Sequence, residues 1–205
     1  MNQTAELVRL WALYEEKHPD AELKDFFSDQ LLAGRPKGKT KFLAGMVPEQ
    51  DTSILAKLLG RLVKLHTYYA VLILKESGIS SFEEFILLNT MLSMGKPRKS
   101  EVINDNFLEL SSGLLVLERL KVKGYITEEE DEKDKRSKRV RLSAKGKSVI
   151  RDCHKKMDKL NNVFYHDLRA SDIRLCVEIL KPLEMKASSQ WLKHKRKGLD
   201  ELFPK

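Results

Sequence analysis

Cysteine is scarce in this chain of 205 residues, which contains only Cys153 and Cys176. Two isolated cysteines are too few for a disulfide framework or a cysteine-based zinc site. Each cysteine falls on an apolar helical stripe. We therefore interpret both as small buried hydrophobic residues rather than as redox sensors.

The motifs of common enzyme classes are also missing. The sequence has no glycine-rich phosphate loop, no His-Glu-x-x-His pair and no nucleophile elbow. Its histidines are scattered without the spacing of metal ligands, at His18, His66, His154, His166 and His194. We therefore predict a protein that is not an enzyme and that uses no metal or other cofactor.

Long apolar runs are absent as well. The least polar window, Leu65 to Leu74, is far shorter than the ~20 residues that span a bilayer. The amino terminus carries Glu6 and lacks the apolar core of a signal peptide. We therefore expect a cytoplasmic protein with no membrane partner.

The charge balance is strongly basic, with a formal net charge of +8 and a pI near 9.3. This balance favours a polyanionic partner such as nucleic acid or an anionic membrane surface. Hydrophobic residues make up 41% of the chain, which is enough to bury a core in one or two domains.

A helix followed by a hairpin is predicted between Leu110 and Leu142. Leucines recur at three- and four-residue spacing, at Leu110, Leu114, Leu117 and Leu120. This spacing predicts one buried helix face. The residues expected on the outward face are Ser111, Ser112, Leu115 and Arg119. Gly124 follows the last periodic residue and is expected to end the helix in a left-handed conformation.

Two strands are predicted after this helix. One begins at Tyr125 to Thr127, and its partner, Lys138 to Leu142, alternates polar and apolar residues. The segment between them, Glu128 to Ser137, is interpreted as the hairpin and its tip. Its acidic run gives way to a basic run, which indicates a loop that reaches DNA phosphates or an electronegative minor groove.

These motifs resemble a known family. The run Asp134-Lys135-Arg136, followed by Val140-Arg141-Leu142-Ser143-Ala144-Lys145-Gly146, is similar to the wing and the next helix start of MarR-family transcriptional regulators. The run Leu117-Glu118-Arg119-Leu120-Lys121-Val122-Lys123-Gly124-Tyr125-Ile126 resembles the end of the recognition helix of that family and the beginning of its wing. The resemblance implies a mainly α fold with a small β-hairpin wing, in which a winged helix-turn-helix unit is flanked by long dimerisation helices.

The organisation follows from apolar spacing, capping residues and this resemblance. We predict an amino-terminal helical extension (1–51), a long helix of the dimerisation region (52–79), a winged helix-turn-helix unit (80–146) and carboxy-terminal dimerisation helices (147–205). The predicted helices span 4–17, 20–32, 53–77, 81–94, 97–103, 109–123 and 143–168, and a last helix begins at Ser171. The predicted caps are Thr52 or Ser53, Ser80 or Ser81, Ser143 and Ser171.

Two segments contain residues that affect how they are interpreted, a proline within a helix and a run of basic residues in a loop. Pro182 lies inside the last helix and is expected to kink or divide it, because proline removes a backbone donor. The loop from Gly34 to Gly45 is basic, through Arg35, Lys37, Lys39 and Lys41. We interpret this loop as a solvated linker, with contact to DNA phosphates as the alternative.

The predicted DNA-binding residues are Arg98, Lys99, Ser111, Ser112, Leu115, Arg119, Lys135, Arg136, Lys138 and Arg139. The two serines are expected to bond phosphate or base edges, with helix capping as the alternative, and Leu115 to contact a thymine methyl. Family members often carry an arginine where this chain has Leu115, so we expect base readout with few hydrogen bonds. The resemblance also implies that Asp134 orients Arg136.

The resemblance implies a homodimeric repressor that binds a palindromic operator in double-stranded DNA, with possible control by a small aromatic effector. The aromatic residues that we suggest for an effector pocket are Tyr68, Tyr69, Phe82, Phe85 and Trp11, for which core packing is the alternative. The other function that we consider is a winged-helix interaction module whose basic wing binds an acidic protein partner.

Replacing Arg136 with alanine tests the wing. We predict that Arg136→Ala weakens DNA binding at least tenfold, about 1.4 kcal/mol, because a contact at the wing tip is lost. Binding isotherms measure this loss, and circular dichroism should show unchanged helix content. An unchanged affinity would refute the wing assignment.

Overall fold

The computed structural model describes residues 2–33, 45–46, 48–131 and 134–194, without the side chains of residues 32, 134–136, 192 and 194. The chain forms two compact units, Met1–Ile54 and Leu55–Lys205. The elements are α1 (Gln3–Lys17), α2 (Leu23–Ala33), α3 (Asp51–Leu74), α4 (Phe82–Met94), α5 (Lys99–Asp105), α6 (Leu110–Val122), β1 (Ile126–Asp131), β2 (Asp134–Leu142), α7 (Ala144–Phe164) and α8 (Ala170–His194), with a short 3₁₀ turn, Lys75–Ser77, after α3.

The first unit is a pair of helices held by aromatic rings. Phe26 of α2 is buried, and the ring of Trp11 meets it edge-on at a centroid distance of 5.5 Å. The hydroxyl of Tyr14 donates to a carboxylate oxygen of Asp29 at 2.7 Å. The two predicted helices are confirmed, although the second begins at Leu23 rather than at residue 20.

The second unit is built around the helix-turn-helix. Its core collects buried residues from the end of α3, from α4, α5, α6, both strands and the first half of α7. The side chains of Leu88, Ile103, Leu117 and Leu120 are fully buried there. A single apolar core therefore fixes α5 and α6 against the hairpin.

The recognition helix α6 is rotated relative to the predicted orientation. Leu117 and Leu120 are buried as expected, but Leu110 and Leu114 are 51% and 40% exposed, so their predicted burial is wrong. The cause is Gly113, where an added Cβ would lie only 2.6 Å from Cγ1 of Ile103. Because α6 approaches α5 through this glycine, its buried face is centred on residues 113, 116, 117 and 120.

The end of α6 agrees with the prediction. Gly124 has a φ of +72°, and the N–H of Tyr125 donates to the carbonyl of Leu120 at 2.9 Å. This left-handed residue satisfies a terminal carbonyl of the helix and turns the chain into β1.

The hairpin is longer than predicted. β1 pairs antiparallel with β2 in a register that places Glu128 opposite Val140 and Glu130 opposite Lys138. Residues 128–131 and 134–137 belong to the hairpin as predicted, but they form strands instead of a loop, since β1 runs to Asp131 and β2 begins at Asp134. The N–H of Val140 also donates to the carbonyl of Pro97 at 2.9 Å, which joins the hairpin to the start of α5.

Three of the predicted caps can be compared directly with the structure. The hydroxyl of Ser143 accepts from the N–H of Gly146 at 3.0 Å, and that of Ser81 accepts from the N–H of Glu84, so these caps are confirmed. Thr52 and Ser53 are not caps, because α3 already begins at Asp51.

The carboxy-terminal helices differ from the prediction in two ways. Helix α7 ends at Phe164, so Leu168 lies outside it and is exposed. Helix α8 begins at Ala170, because the carbonyl of Arg169 already accepts from the N–H of Ile173, and Ser171 is therefore not its cap. Pro182 does not divide α8, which continues to His194.

The two cysteines have different surroundings. Cys153 is buried in the core as predicted, and burial raises the pKa of its thiol. Cys176 on α8 is exposed in the single chain, so its predicted burial is not observed. Within the described residues, no helix is long and apolar enough to cross a membrane.

The core position Leu117 can be compared with its exposed neighbour Leu114. We predict that Leu117→Ala lowers the free energy of unfolding by about 3 kcal/mol, because it leaves a cavity between α6 and the rest of the core. Leu114→Ala should change the free energy of unfolding by less than about 0.5 kcal/mol, as is typical of surface positions. Urea unfolding of both variants measures the difference, and equal losses would contradict the rotated orientation of α6.

Candidate nucleic-acid interface

The outward face of α6 carries the residues that were predicted to face outward. Ser111, Ser112, Leu115 and Arg119 are all exposed. The helix begins after Glu109, whose side chain makes no capping bond. The two serines lie in the first turn, so the capping alternative is wrong for both and their hydroxyls face outward.

A basic cleft borders the start of α6. It has a volume of about 310 Å³ and is lined by Arg98, Lys99, Ser100, Leu110, Ser137 and Lys138. The structure thus brings three of the predicted DNA-binding residues together beside the first residue of α6. Cations beside an exposed helix amino terminus form a surface suited to a phosphate backbone.

A buried carboxylate holds Arg98 of this cleft together with Arg139 of β2. Asp131, at the end of β1, is only 1% exposed. One of its oxygens lies 2.6 Å from Nε of Arg98 and 3.1 Å from Nε of Arg139. Arg139 also donates to the carbonyl of Lys96 at 2.8 Å. Since Arg98 precedes α5 directly, Asp131 fastens the hairpin to the helix-turn-helix.

Asp131 was not among the predicted site residues. The available signal was the acidic run opposite a basic run in one hairpin, which favours cross-strand ion pairs. That run was instead interpreted as part of a loop that reaches DNA. The basic residues were therefore expected to be free for DNA, whereas Arg98 and Arg139 share an internal carboxylate.

Two more acidic residues of β1 neutralise neighbouring lysines. Glu128 forms ion pairs with Lys99 and with Lys121, the latter at 3.2 Å. Burial alone raises the pKa of Glu128, but hydrogen bonds from the two lysines outweigh it and hold the pKa below its ordinary value. A hydrogen bond from Lys96 likewise lowers the pKa of Glu129. Both carboxylates are therefore ionised at neutral pH and balance part of the basic surface.

Arg119 is oriented by a different carboxylate. Glu84 on α4 is fully buried, and its oxygens lie 3.5 Å from Nε of Arg119 and 2.7 Å from Nζ of Lys123. The side chain of Arg119 remains half exposed. This arginine is thus fixed towards α4 at the third turn of α6 rather than at its amino-terminal end.

The wing tip cannot be compared at the level of side chains. Asp134, Lys135 and Arg136 belong to β2, but their side chains lie outside the described residues. The predicted orientation of Arg136 by Asp134 therefore stays a prediction. Lys133 and the basic residues of the predicted loop, Arg35, Lys37, Lys39 and Lys41, also lie outside the described residues.

The residues suggested for an effector pocket occupy different environments. Tyr68 and Tyr69 on α3 are exposed, with ring centroids 5.4 Å apart. Phe82 and Phe85 on α4 pack against the core. Trp11 belongs to the first unit.

A groove of about 430 Å³ lies along α3. Its described lining is Val63, Lys64, Thr67, Tyr68, Val71, Leu72 and Lys75, in which Tyr68 is the one residue suggested for an effector pocket. The effector pocket stays a prediction.

Comparisons with known proteins agree with this geometry. Residues 83–146 match a family model described as a winged helix DNA-binding domain. No curated protein matches the sequence. Among solved structures, a mutant of MarR from E. coli in complex with operator DNA has a TM-score of 0.61 and 19% identity, and the match covers 67% of this chain and 99% of that one.

Two further structures are similar. BpsR of Bordetella bronchiseptica, whose DNA binding is regulated by 6-hydroxynicotinic acid, has a TM-score of 0.60 and 17% identity, over 67% of this chain and 98% of that one. PcaV of Streptomyces coelicolor has a TM-score of 0.55 and 21% identity, over 66% and 98%. This chain has the MarR fold. The predicted resemblance and fold class are confirmed at the level of the fold, and the MarR-like part is about two thirds of the chain.

Removing the Asp131 carboxylate tests its role within this MarR-like fold. We predict that Asp131→Ala lowers the free energy of unfolding by about 1–3 kcal/mol, because it leaves two partly buried guanidinium groups without their partner. Glu130→Ala on the same strand is the control, since Glu130 is exposed and should change stability by less than about 0.5 kcal/mol. Chemical denaturation measures both. Equal effects would mean that Asp131 does not fasten the hairpin.

Proposed function

We propose that this protein is a sequence-specific regulator of transcription that binds double-stranded DNA. The observation that carries this proposal is the exposed amino-terminal half of α6 beside the basic cleft of Arg98, Lys99 and Lys138. A helix-turn-helix places the start of its recognition helix in the major groove, and flanking cations contact the phosphates. The match of residues 83–146 to a winged helix DNA-binding domain and the similarity to MarR bound to operator DNA support it.

The regulator acts as a homodimer in this proposal. Helices α3 and α8 leave large apolar side chains exposed, including Leu62, Leu65, Leu72, Ile179, Leu183 and Met185. Apolar surface of this extent on long helices favours association, and a second copy related by twofold symmetry offers an identical surface. Such a dimer presents two α6 helices to a palindromic site and represses by blocking a promoter.

Control by a small aromatic compound is part of the proposal. The DNA binding of the similar protein BpsR is regulated by 6-hydroxynicotinic acid. The groove along α3 is mainly apolar and includes the exposed ring of Tyr68 together with Lys64 and Lys75. Apolar walls with a few polar groups are typical of small-molecule sites, and these lysines favour an acidic aromatic compound.

One observation favours a second function. The exposed surface of α6 carries Leu110, Leu114 and Leu115, and exposed leucines are also typical of protein-binding surfaces. In this second function the winged helix binds an acidic protein partner through the basic cleft. A protein-binding surface has no reason to prefer one DNA sequence over another, so DNA selectivity separates the two.

Selection of random duplex DNA by the purified protein, followed by fluorescence anisotropy, tests the proposal. We expect enrichment of an inverted repeat whose half-sites lie about ten base pairs apart. Affinity for this repeat should fall steeply with salt, and Lys138→Ala should reduce the logarithmic salt slope by about 1.8, because the dimer loses one phosphate contact in each subunit. The control is Lys159→Ala, which removes an exposed lysine of α7 and should leave the slope unchanged.

Two results would contradict this proposal. Failure to enrich any sequence, with equal affinity for a scrambled duplex, would favour the protein-binding function. A salt slope that Lys138→Ala and Lys159→Ala reduce equally would show that the basic cleft has no special role in DNA binding.

A further inference from the structure

The DNA-facing end of α6 is apolar to an unusual degree. Leu115 is 65% exposed, and Leu110 and Leu114 are exposed beside it because Gly113 brings the opposite face of the helix against Ile103. We call these three residues the leucine surface. These three leucines on the amino-terminal half of α6 stay in contact with solvent unless a partner covers them.

Hydrogen-bonding groups are few on the same part of the helix. Residues 110–117 read Leu-Ser-Ser-Gly-Leu-Leu-Val-Leu, so only the hydroxyls of Ser111 and Ser112 are available as side-chain donors or acceptors. The next residue that can form bidentate bonds with a base, Arg119, is directed towards Glu84. Discrimination of guanine or adenine by a bidentate side chain is therefore not available on the first two turns of α6.

The major groove offers one apolar feature that such a surface can recognise. Each thymine presents a 5-methyl group there, and apolar side chains contact it. Burial of a methyl group against a leucine removes apolar area from water and is favourable. Cytosine lacks this methyl group, so a leucine discriminates between the two pyrimidines without a hydrogen bond.

The position of the leucine surface favours DNA over a protein as the partner that covers it. Leu110 lines the same cleft as Arg98, Lys99 and Lys138. Cations beside an apolar surface suit a major groove, in which base edges lie next to rows of phosphates. A protein partner would need both an apolar ridge to cover the leucines and acidic residues beside it to pair with the cations. The leucine surface alone requires only the apolar ridge.

We propose that the leucine surface recognises thymine 5-methyl groups in the major groove, so that the preferred DNA sequence is defined by thymine positions. This inference rests on the proposed function. It assigns the specificity of α6 to apolar contact instead of the hydrogen bonding that an arginine on the recognition helix would supply.

Replacement of thymine by uracil in the enriched duplex tests the inference, because uracil lacks the methyl group and keeps every hydrogen-bonding group. Each thymine is replaced in turn, and affinities are measured by anisotropy. We expect at least one replacement in each half-site to weaken binding by the native protein about fourfold, the factor that corresponds to one buried methyl group.

Two variants show whether the leucines cause the effect. The triple variant Leu110→Ala/Leu114→Ala/Leu115→Ala changes three exposed positions and should still fold. It should bind the thymine and uracil duplexes equally. The control is Val122→Ala, which changes an 81% exposed residue at the other end of α6 and should keep the fourfold ratio.

Three results would overturn the inference, and each can be distinguished from the others. An enriched duplex whose affinity is unchanged by every uracil replacement leaves the regulator intact but removes methyl recognition. A ratio that persists in the triple variant assigns the methyl effect to DNA shape instead of to the leucines. Failure to enrich any duplex contradicts both the proposed function and this inference. This outcome differs from the first two because the protein then shows no sequence preference at all.

Discussion

The carboxylate of Asp131, shared by the guanidinium groups of Arg98 and Arg139, is the interaction on which the geometry of the proposed DNA-binding surface depends. It lies where the hairpin meets the start of α5, so it fixes the distance between wing and helix-turn-helix. Two cations compensate the cost of burying this carboxylate. The same pairing leaves fewer unpaired positive charges at the cleft than the basic sequence indicates.

The second constraint is the close approach of α6 to α5 at Gly113. Any larger residue there would collide with Ile103, and the approach turns Leu110 and Leu114 outward. Ion pairing at the hairpin and rotation of α6 thus act together. The ion pair holds Arg98 at the cleft, and the rotation of α6 exposes Leu110 in the lining of the same cleft.

Features with local causes were predictable from the sequence. Gly124 ends α6 and Ser143 begins α7, because their conformations and hydrogen bonds depend on a few neighbouring residues. Features that depend on contacts distant in sequence were not. Leu114 satisfies the apolar spacing of a buried residue, but it is exposed because Gly113 is the residue that approaches Ile103, which the spacing does not show. The role of Asp131 required the strand register, which the acidic run alone did not define.

Hydrogen–deuterium exchange of the protein, free and bound to the enriched duplex, is the most direct measurement of the DNA-facing surface. The structure predicts that the matched duplex, and not a scrambled one, slows amide exchange over residues 98–101, 110–116 and 137–141, where the cleft and the start of α6 meet. Slowed exchange confined to other segments, with these three unchanged in the bound state, would contradict the assignment of this surface to DNA.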